Sequence, residues 1–172
     1  QLQSSAASDV YKRQKEKCKP FFDRLTELFY EHHHSEHQNA DEYEKLLYMV
    51  KKPYDNNMLD MIDEWMGLSK REWREDTTRE VKLALYAIRY PDTLLLDSFT
   101  ENPRSDIRRL SAYLHFTHHT YAIWDEDTRK GLEKIGINIP QTEAADPFIY
   151  GAYVSAIELL KDVAPFTCFL EH

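Results

Sequence analysis

Residues 102–137, NPRSDIRRLSAYLHFTHHTYAIWDEDTRKGLEKIGI, carry the clearest helix signals in the chain. Asn102 followed by Pro103 is a typical helix start, because a capping side chain precedes a proline at a position that needs no backbone N–H. The apolar residues that follow recur at helical spacing and predict a buried side: Ile107, Leu110 and Leu114. The segment therefore begins with a helix.

A second helix is predicted from Asp125 to Ile135, after a connector over residues 117–124, and Gly136 is placed to end it. The same kind of signal occurs further along, where Asp146 and Pro147 repeat the combination of a cap residue and a proline. Apolar residues at helical spacing follow this second start as well. The C-terminal third is therefore predicted to be helical.

The rest of the chain has the same periodicity. Helices are predicted over Lys15–His34, Asp41–Lys51 and Asn56–Met66, with the carboxylates Asp60, Asp63 and Glu64 on the outer face of the last. Two capping boxes, from Ser69 to Glu72 and from Thr77 to Glu80, predict further helix starts. No segment alternates in the manner of a β-strand. The sequence thus predicts an all-α fold of about seven or eight helices in a single domain.

Composition narrows the class of protein. The chain has 172 residues, a formal net charge of −8 and only 4 glycines, which argues against a generic basic protein that coats nucleic acid and against a glycine-rich phosphate loop. Residues 1–14 resemble a non-native leader and residues 170–172 a tag remnant, which leaves the domain at 15–169. The longest apolar runs fall short of a membrane span, and Cys18 and Cys168 are expected to be reduced thiols in the cytoplasm.

Two groups of histidines have spacing that a metal site would need. The first group is His32, His33, His34 and His37; the second is His115, His118 and His119. A di-iron bundle would need a second Glu-x-x-His on another helix, and the sequence has none to match Glu31 and His34. We therefore predict no metal and no cofactor, and interpret the histidines as a solvated helix end and a loop.

The stretch AIWDEDTRKGLEKIGI, residues 122–137, resembles the segment of helix-hairpin-helix base-excision DNA glycosylases that carries their catalytic aspartate. That segment has an apolar pair, an aspartate, a basic residue and a closing glycine, which Asp125, Arg129 and Gly136 match here. Pro103 lies about where the family has its hairpin proline. The resemblance covers about 35 of the 172 residues, from 102 to 137.

The resemblance implies a glycosylase-like helical fold that binds DNA weakly and, if it is an enzyme, a monofunctional N-glycosylase. Asp125 would be the catalytic carboxylate, stabilising an oxocarbenium-like transition state or activating water. A flipped base would enter an aromatic pocket formed by Tyr113, Phe116, Tyr121 and Trp124. A basic surface would hold the phosphates through Arg104, Arg108, Arg109, Arg129 and Lys130.

Three departures from the family pattern limit the resemblance. The stretch PRSDIR, residues 103–108, lacks the two hairpin glycines that bring backbone amides to a phosphate. Ile107 and Arg108 stand where the lyase subgroup has a lysine, and an arginine cannot form a Schiff base. No cysteine cluster for an iron–sulfur site follows.

Two alternatives therefore stay open: a non-catalytic helical module that binds another protein, as phage and mobile-element accessory proteins do, and a histidine-based metal-binding bundle.

Overall fold

The computed structural model describes residues 12–13, 16–20, 22–23, 40–50, 57–87, 106–118 and 121–164. In these ranges the regular secondary structure consists of α-helices and one isolated β-bridge between Asp106 and Ala144, which confirms the all-α prediction. The helices that are described in full are α1 (Ala40–Val50), α2 (Met58–Trp65), α3 (Glu75–Ala87), α4 (Ile107–Thr117), α5 (Glu126–Lys134) and α6 (Pro147–Val163).

Helices α1 and α2 lie within two residues of their predicted bounds. In α1, Leu46 and Val50 are buried four residues apart, and the acidic side chains of Asp41 and Glu42 occupy the first turn, where the helix dipole favours negative charge. In α2 three apolar side chains are buried: Met58, Leu59 and Ile62. These contacts pack α1 and α2 against each other and both against α4.

Two glycines end their helices in the left-handed backbone conformation. Gly67 (φ +63°) follows α2, and Gly136 (φ +86°) follows α5. After α2, Leu68 N–H donates to the Asp63 carbonyl (2.8 Å) and Gly67 N–H to that of Glu64 (3.0 Å), the hydrogen-bond pattern of a Schellman motif. The equivalent bonds recur at Gly136, where the sequence predicted the end of the helix.

Helix α3 does not begin where either capping box places a start. It begins at Glu75, so Thr77 lies inside its first turn, and residues 68–74 form a connector without helix. Both capping predictions are therefore wrong. The helical spacing of Val81, Ala84, Leu85 and Ile88 predicts an apolar face for this segment, and Val81 and Leu85 are indeed buried where α3 packs on α4. Ile88 lies outside the described residues.

Helix α4 occupies the centre of the fold. Eight of its eleven residues are buried, far more than the three that spacing predicts, as expected for a helix covered on all sides. It begins at Ile107 rather than at Asn102, because Asp106 is its N-cap and accepts from Arg109 N–H (2.7 Å). Ile107 N–H donates to the Glu143 carbonyl (3.1 Å), which fixes this start against the segment before α6.

Helix α6 holds the connector between α4 and α5 in place. Asp146 caps α6 and Pro147 is its first residue, as predicted. The hydroxyl of Tyr150 donates to the Ala122 carbonyl (2.9 Å), and that of Tyr153 donates to the Ile123 carbonyl (3.0 Å). The carbonyls of Ala122 and Ile123 thereby obtain hydrogen-bond donors within the protein.

The predicted first helix falls only partly within the described residues. Residues 16–20 and 22–23 are helical, and Cys18 is buried there with a free thiol. Burial raises the pKa of that thiol. Cys168 lies outside the described residues, so the pairing of the two cysteines stays a prediction. Among the helices described above, none combines the length and the apolar character required to cross a bilayer.

Candidate functional site

Asp125 is an exposed helix cap. Its carboxylate Oδ2 accepts from the backbone N–H of Thr128 (2.7 Å) and from the hydroxyl of the same residue (2.9 Å). The backbone at Asp125 is extended, the usual N-cap conformation, and its N–H donates to the Tyr153 hydroxyl (3.3 Å). The carboxylate is thus engaged in starting α5.

We expect Asp125→Ala to lower the free energy of unfolding by about 1 kcal/mol, the usual cost of removing an N-cap side chain. Asp125→Asn should cost much less, because the amide oxygen can still accept from Thr128. Urea unfolding followed by circular dichroism measures both. Asp127→Ala is the matched control, since Asp127 lies in the same first turn and its carboxylate is 93% exposed. Equal stability of Asp125→Ala and wild type would contradict the capping assignment.

Two of the five predicted DNA-binding residues are buried in ion pairs. The Arg129 guanidinium, 10% exposed, donates to Glu126 Oε1 (2.8 Å from Nη2) and to the Ile139 carbonyl (2.9 Å from Nη1). The hydrogen bond from Arg129 to Glu126 lowers the pKa of the Glu126 carboxyl group. Arg109 donates from Nη2 to the Ser69 carbonyl (2.6 Å). This placement departs from the predicted phosphate-binding surface, because both guanidinium groups already have internal acceptors.

The other three predicted DNA-binding residues do not share one environment. Arg108 and Lys130 are exposed, and Lys130 Nζ lies 3.6 Å from the Asp127 carboxylate. Arg104 lies outside the described residues. Because two of the five are buried, the described part of the chain does not join them into one basic patch.

The four predicted pocket aromatics belong to the hydrophobic core. They are at most 4% exposed: Tyr113, Phe116, Tyr121 and Trp124. Trp124 packs against Tyr153 with ring centroids 4.7 Å apart, and Tyr121 stacks on Tyr150 at 6.2 Å. These rings are occupied in packing, so a base would need to displace core contacts to reach them.

A buried polar cluster, which sequence reasoning missed, joins α2, α4 and the 68–74 connector. Its members are Asp63, Arg71, Arg109 and Tyr113. Asp63 is 4% exposed and accepts from the Tyr113 hydroxyl (2.6 Å) and from Arg71 Nη1 (2.5 Å), while Arg109 Nε lies 3.4 Å away. The prediction that Asp63 faces outward is therefore wrong. Its spacing from Leu59 and Met66 could have indicated the inner face.

The charges in this cluster are matched internally. Burial raises the pKa of Asp63, although the Tyr113 hydroxyl and both guanidinium groups act in the opposite direction. Burial and the Asp63 hydrogen bond also raise the pKa of Tyr113 above its usual value. Arg71 makes a second ion pair with the exposed Asp60 (2.5 Å) and lies over the Trp73 ring. The arrangement ties α2, α4 and the 68–74 connector together.

His115 belongs to an aromatic cluster with Tyr43, Trp65 and Phe116. Its Nδ1 lies 2.7 Å from the Tyr121 carbonyl, which only accepts, so Nδ1 donates and Nε2 accepts from the Tyr43 hydroxyl (2.8 Å). Both ring nitrogens are therefore engaged within the protein. His118 caps the end of α4. His119 and the first histidine group lie outside the described residues, where their metal-capable spacing stays a prediction.

A shallow groove of about 460 Å³ runs between α1 and α2 above this aromatic cluster. It is lined by Glu42, Lys45, Leu46, Met49, Met61, Glu64 and Trp65, and we call it the α1–α2 groove. Its floor is apolar, and its rim carries exposed carboxylates. Trp65 packs against Phe116 (ring centroids 5.3 Å apart, edge to face) and Tyr43 (5.8 Å), so the floor of the groove is continuous with the aromatic core.

A second depression adjoins the α1–α2 groove and shares Lys45 and Met49 with it. Its other lining residues are Asp41, Glu44 and Tyr48. Tyr48 is 66% exposed, one of the largest exposed apolar side chains in the described part of the chain. Together the two depressions form an apolar strip on one outer face of α1, and carboxylate side chains border this strip.

No protein-family model, curated protein or solved structure matches this chain, so the helix-hairpin-helix resemblance of residues 102–137 stays a prediction.

Proposed function

We propose that the protein is a non-catalytic helical module that binds a segment of another protein in the α1–α2 groove. The observation that supports this proposal is an apolar floor left open to solvent on an aromatic support. Methionine side chains suit such a surface, because they adapt their shape to different partners at low cost. Ligand grooves of this kind are apolar at the base with a few polar groups at the rim.

The placement of the other predicted site residues favours a binding function over catalysis. Asp125 is engaged as a cap, Arg109 and Arg129 are internal, and the aromatics predicted to line a base pocket form the core. A glycosylase active site would require a carboxylate at a cavity deep enough for a base. The α1–α2 groove, by contrast, is already open and needs no rearrangement to accept a peptide.

Selection of peptides from a random displayed library against the immobilised protein tests this proposal. We expect enriched peptides that bind wild type and bind Met49→Gln at least about tenfold more weakly, since a tenfold change corresponds to about 1.4 kcal/mol and burial of a methionine is worth that or more. Gln has nearly the shape of Met, so the fold should be retained, and circular dichroism verifies this.

Leu83→Gln is the matched control for that selection. Leu83 lies on α3 and is 65% exposed, so the substitution removes an exposed apolar side chain away from the groove. The selected peptides should bind this variant within twofold of wild type. Failure to enrich any peptide, or enrichment of peptides that bind wild type and Met49→Gln equally well, would contradict the proposed function.

A further inference from the structure

The border of the α1–α2 groove is strongly acidic. Glu42 and Glu64 line the groove, and Asp41 and Glu44 line the adjoining depression, all four exposed. Lys45 is the cation that the linings of both share. The border thus combines four carboxylates with one ammonium group, a formal charge of −3. Within the described part of the chain, the ion pairs shorter than 4.0 Å do not include these four carboxylates.

We infer that the occupant of the α1–α2 groove is a basic amphipathic helix of another protein, an inference that rests on the proposed function. An apolar stripe on the occupant would lie on Met49, Met61 and Trp65. Lysine or arginine side chains flanking that stripe would reach Glu42 and Glu64. Such a helix presents anchors at positions i, i+3, i+4 and i+7. Charge complementarity of this kind sets specificity and the association rate.

The geometry of the groove favours a helix over an extended strand. Its walls are two α-helices, whose backbone donors and acceptors are consumed internally, so no sheet edge exists there for a strand to join. The eleven residues of α1 extend about 16 Å at 1.5 Å per residue, which matches about three turns of a docked helix. A third helix would pack into the ridge and groove pattern that α1 and α2 present.

A second copy of this chain is a poorer occupant of the groove. Two copies related by a twofold axis would place the same acidic border against itself, and like charges in contact oppose association. A nucleic acid is excluded for the same reason, because its phosphates would face unpaired carboxylates. A cationic partner is the one that the border attracts.

Three synthetic 14-residue peptides provide the test, with binding followed by fluorescence anisotropy. The first has leucines on one helical face and lysines on the other. The second replaces every lysine by glutamate, and the third has the composition of the first in an order that scatters the leucines. We expect the first peptide to bind at least tenfold more tightly than either of the others. Its affinity should fall several-fold when salt is raised from 50 to 300 mM, because screening weakens the charge contacts.

A pair of charge-matched double variants separates local from overall electrostatics. Glu42→Gln with Glu64→Gln should weaken binding of the first peptide about five- to tenfold, the scale expected for the loss of two exposed ion pairs. Glu80→Gln with Asp127→Asn removes the same charge at exposed positions on α3 and α5 and should change it less than twofold. Equal weakening in the two variants would overturn the inference and indicate non-specific attraction.

Two further outcomes distinguish this inference from the proposed function. Library peptides that bind in a Met49-dependent way but carry no positive charge and show no salt dependence would overturn the inference and leave protein binding supported. A dimer in sedimentation that Met49→Gln dissociates would also overturn it, with a second copy as occupant. Absence of binding by the basic peptide and by every library peptide would contradict both.

Discussion

Asp63→Asn should lower the free energy of unfolding by about 3 kcal/mol, because it leaves the guanidinium groups of Arg71 and Arg109 buried without their shared counter-ion. The carboxylate is 4% exposed, and Arg71 and Arg109 are 7% and 8% exposed at their side chains, so water cannot replace it. Asp60 retains one ion pair to Arg71, which places the expected loss at the lower end of the range for broken buried pairs.

Thermal and urea unfolding measure this loss, which corresponds to a decrease in Tm of about 6–12 °C for a domain of this size. Asp60→Asn is the matched control: the same arginine loses the same kind of partner, but Asp60 is 60% exposed. An exposed ion pair is worth at most about 1 kcal/mol, so this variant should unfold close to wild type. Similar losses in the two variants would show that burial of the Asp63 ion pair does not determine its contribution.

Phe116→Ala should cost about 3–5 kcal/mol, the usual range for removal of a buried phenylalanine. Phe116 lies in the last turn of α4, is 3% exposed and contacts both Tyr43 (ring centroids 5.4 Å apart) and Trp65 (5.3 Å). The cavity left behind would also remove the support of the α1–α2 groove. We therefore expect weaker peptide binding in this variant even at temperatures where it stays folded.

The same substitution at Phe148 is the control for Phe116→Ala. Phe148 lies in the first turn of α6 and is 86% exposed, so its truncation should change stability by less than about 0.5 kcal/mol. Urea unfolding measures the stability of both variants, and peptide anisotropy measures the groove. Unchanged peptide affinity in folded Phe116→Ala would contradict the view that the aromatic cluster holds the groove in shape.

Helix ends that depend on a local signal could be predicted from the sequence. Gly67 and Gly136 adopt positive φ and close their helices through neighbouring backbone groups, and the Asp146 side chain caps α6 by accepting from the N–H groups of Phe148 and Ile149. The start of α4 could not be predicted in this way. Asn102 and Asp106 are both acceptable caps, and the choice depends on the Glu143 carbonyl, which is distant in the sequence.

The candidate site shows the same division between local and distant information. Arginine is the residue type expected on a phosphate-binding surface, so the sequence placed Arg109 and Arg129 there. The structure shows instead that carboxylates and carbonyls of the protein bind both guanidinium groups. The bond from Tyr113 to Asp63 spans 50 residues. The α1–α2 groove likewise needs two helices from separate segments, although Met49 and Met61 lie beside apolar stripes that the sequence does show.

The hydrogen bonds from α6 to the connector have a consequence for synthesis of the chain. Tyr150 and Tyr153 are made 28 and 30 residues after the carbonyls of Ala122 and Ile123 to which they donate. At about 5–20 residues per second, a ribosome takes about 1–6 s to add that length. During this interval the two carbonyls lack the hydroxyl donors that they have in the folded protein. The rate of translation therefore determines how long this turn lacks the hydrogen bonds from Tyr150 and Tyr153.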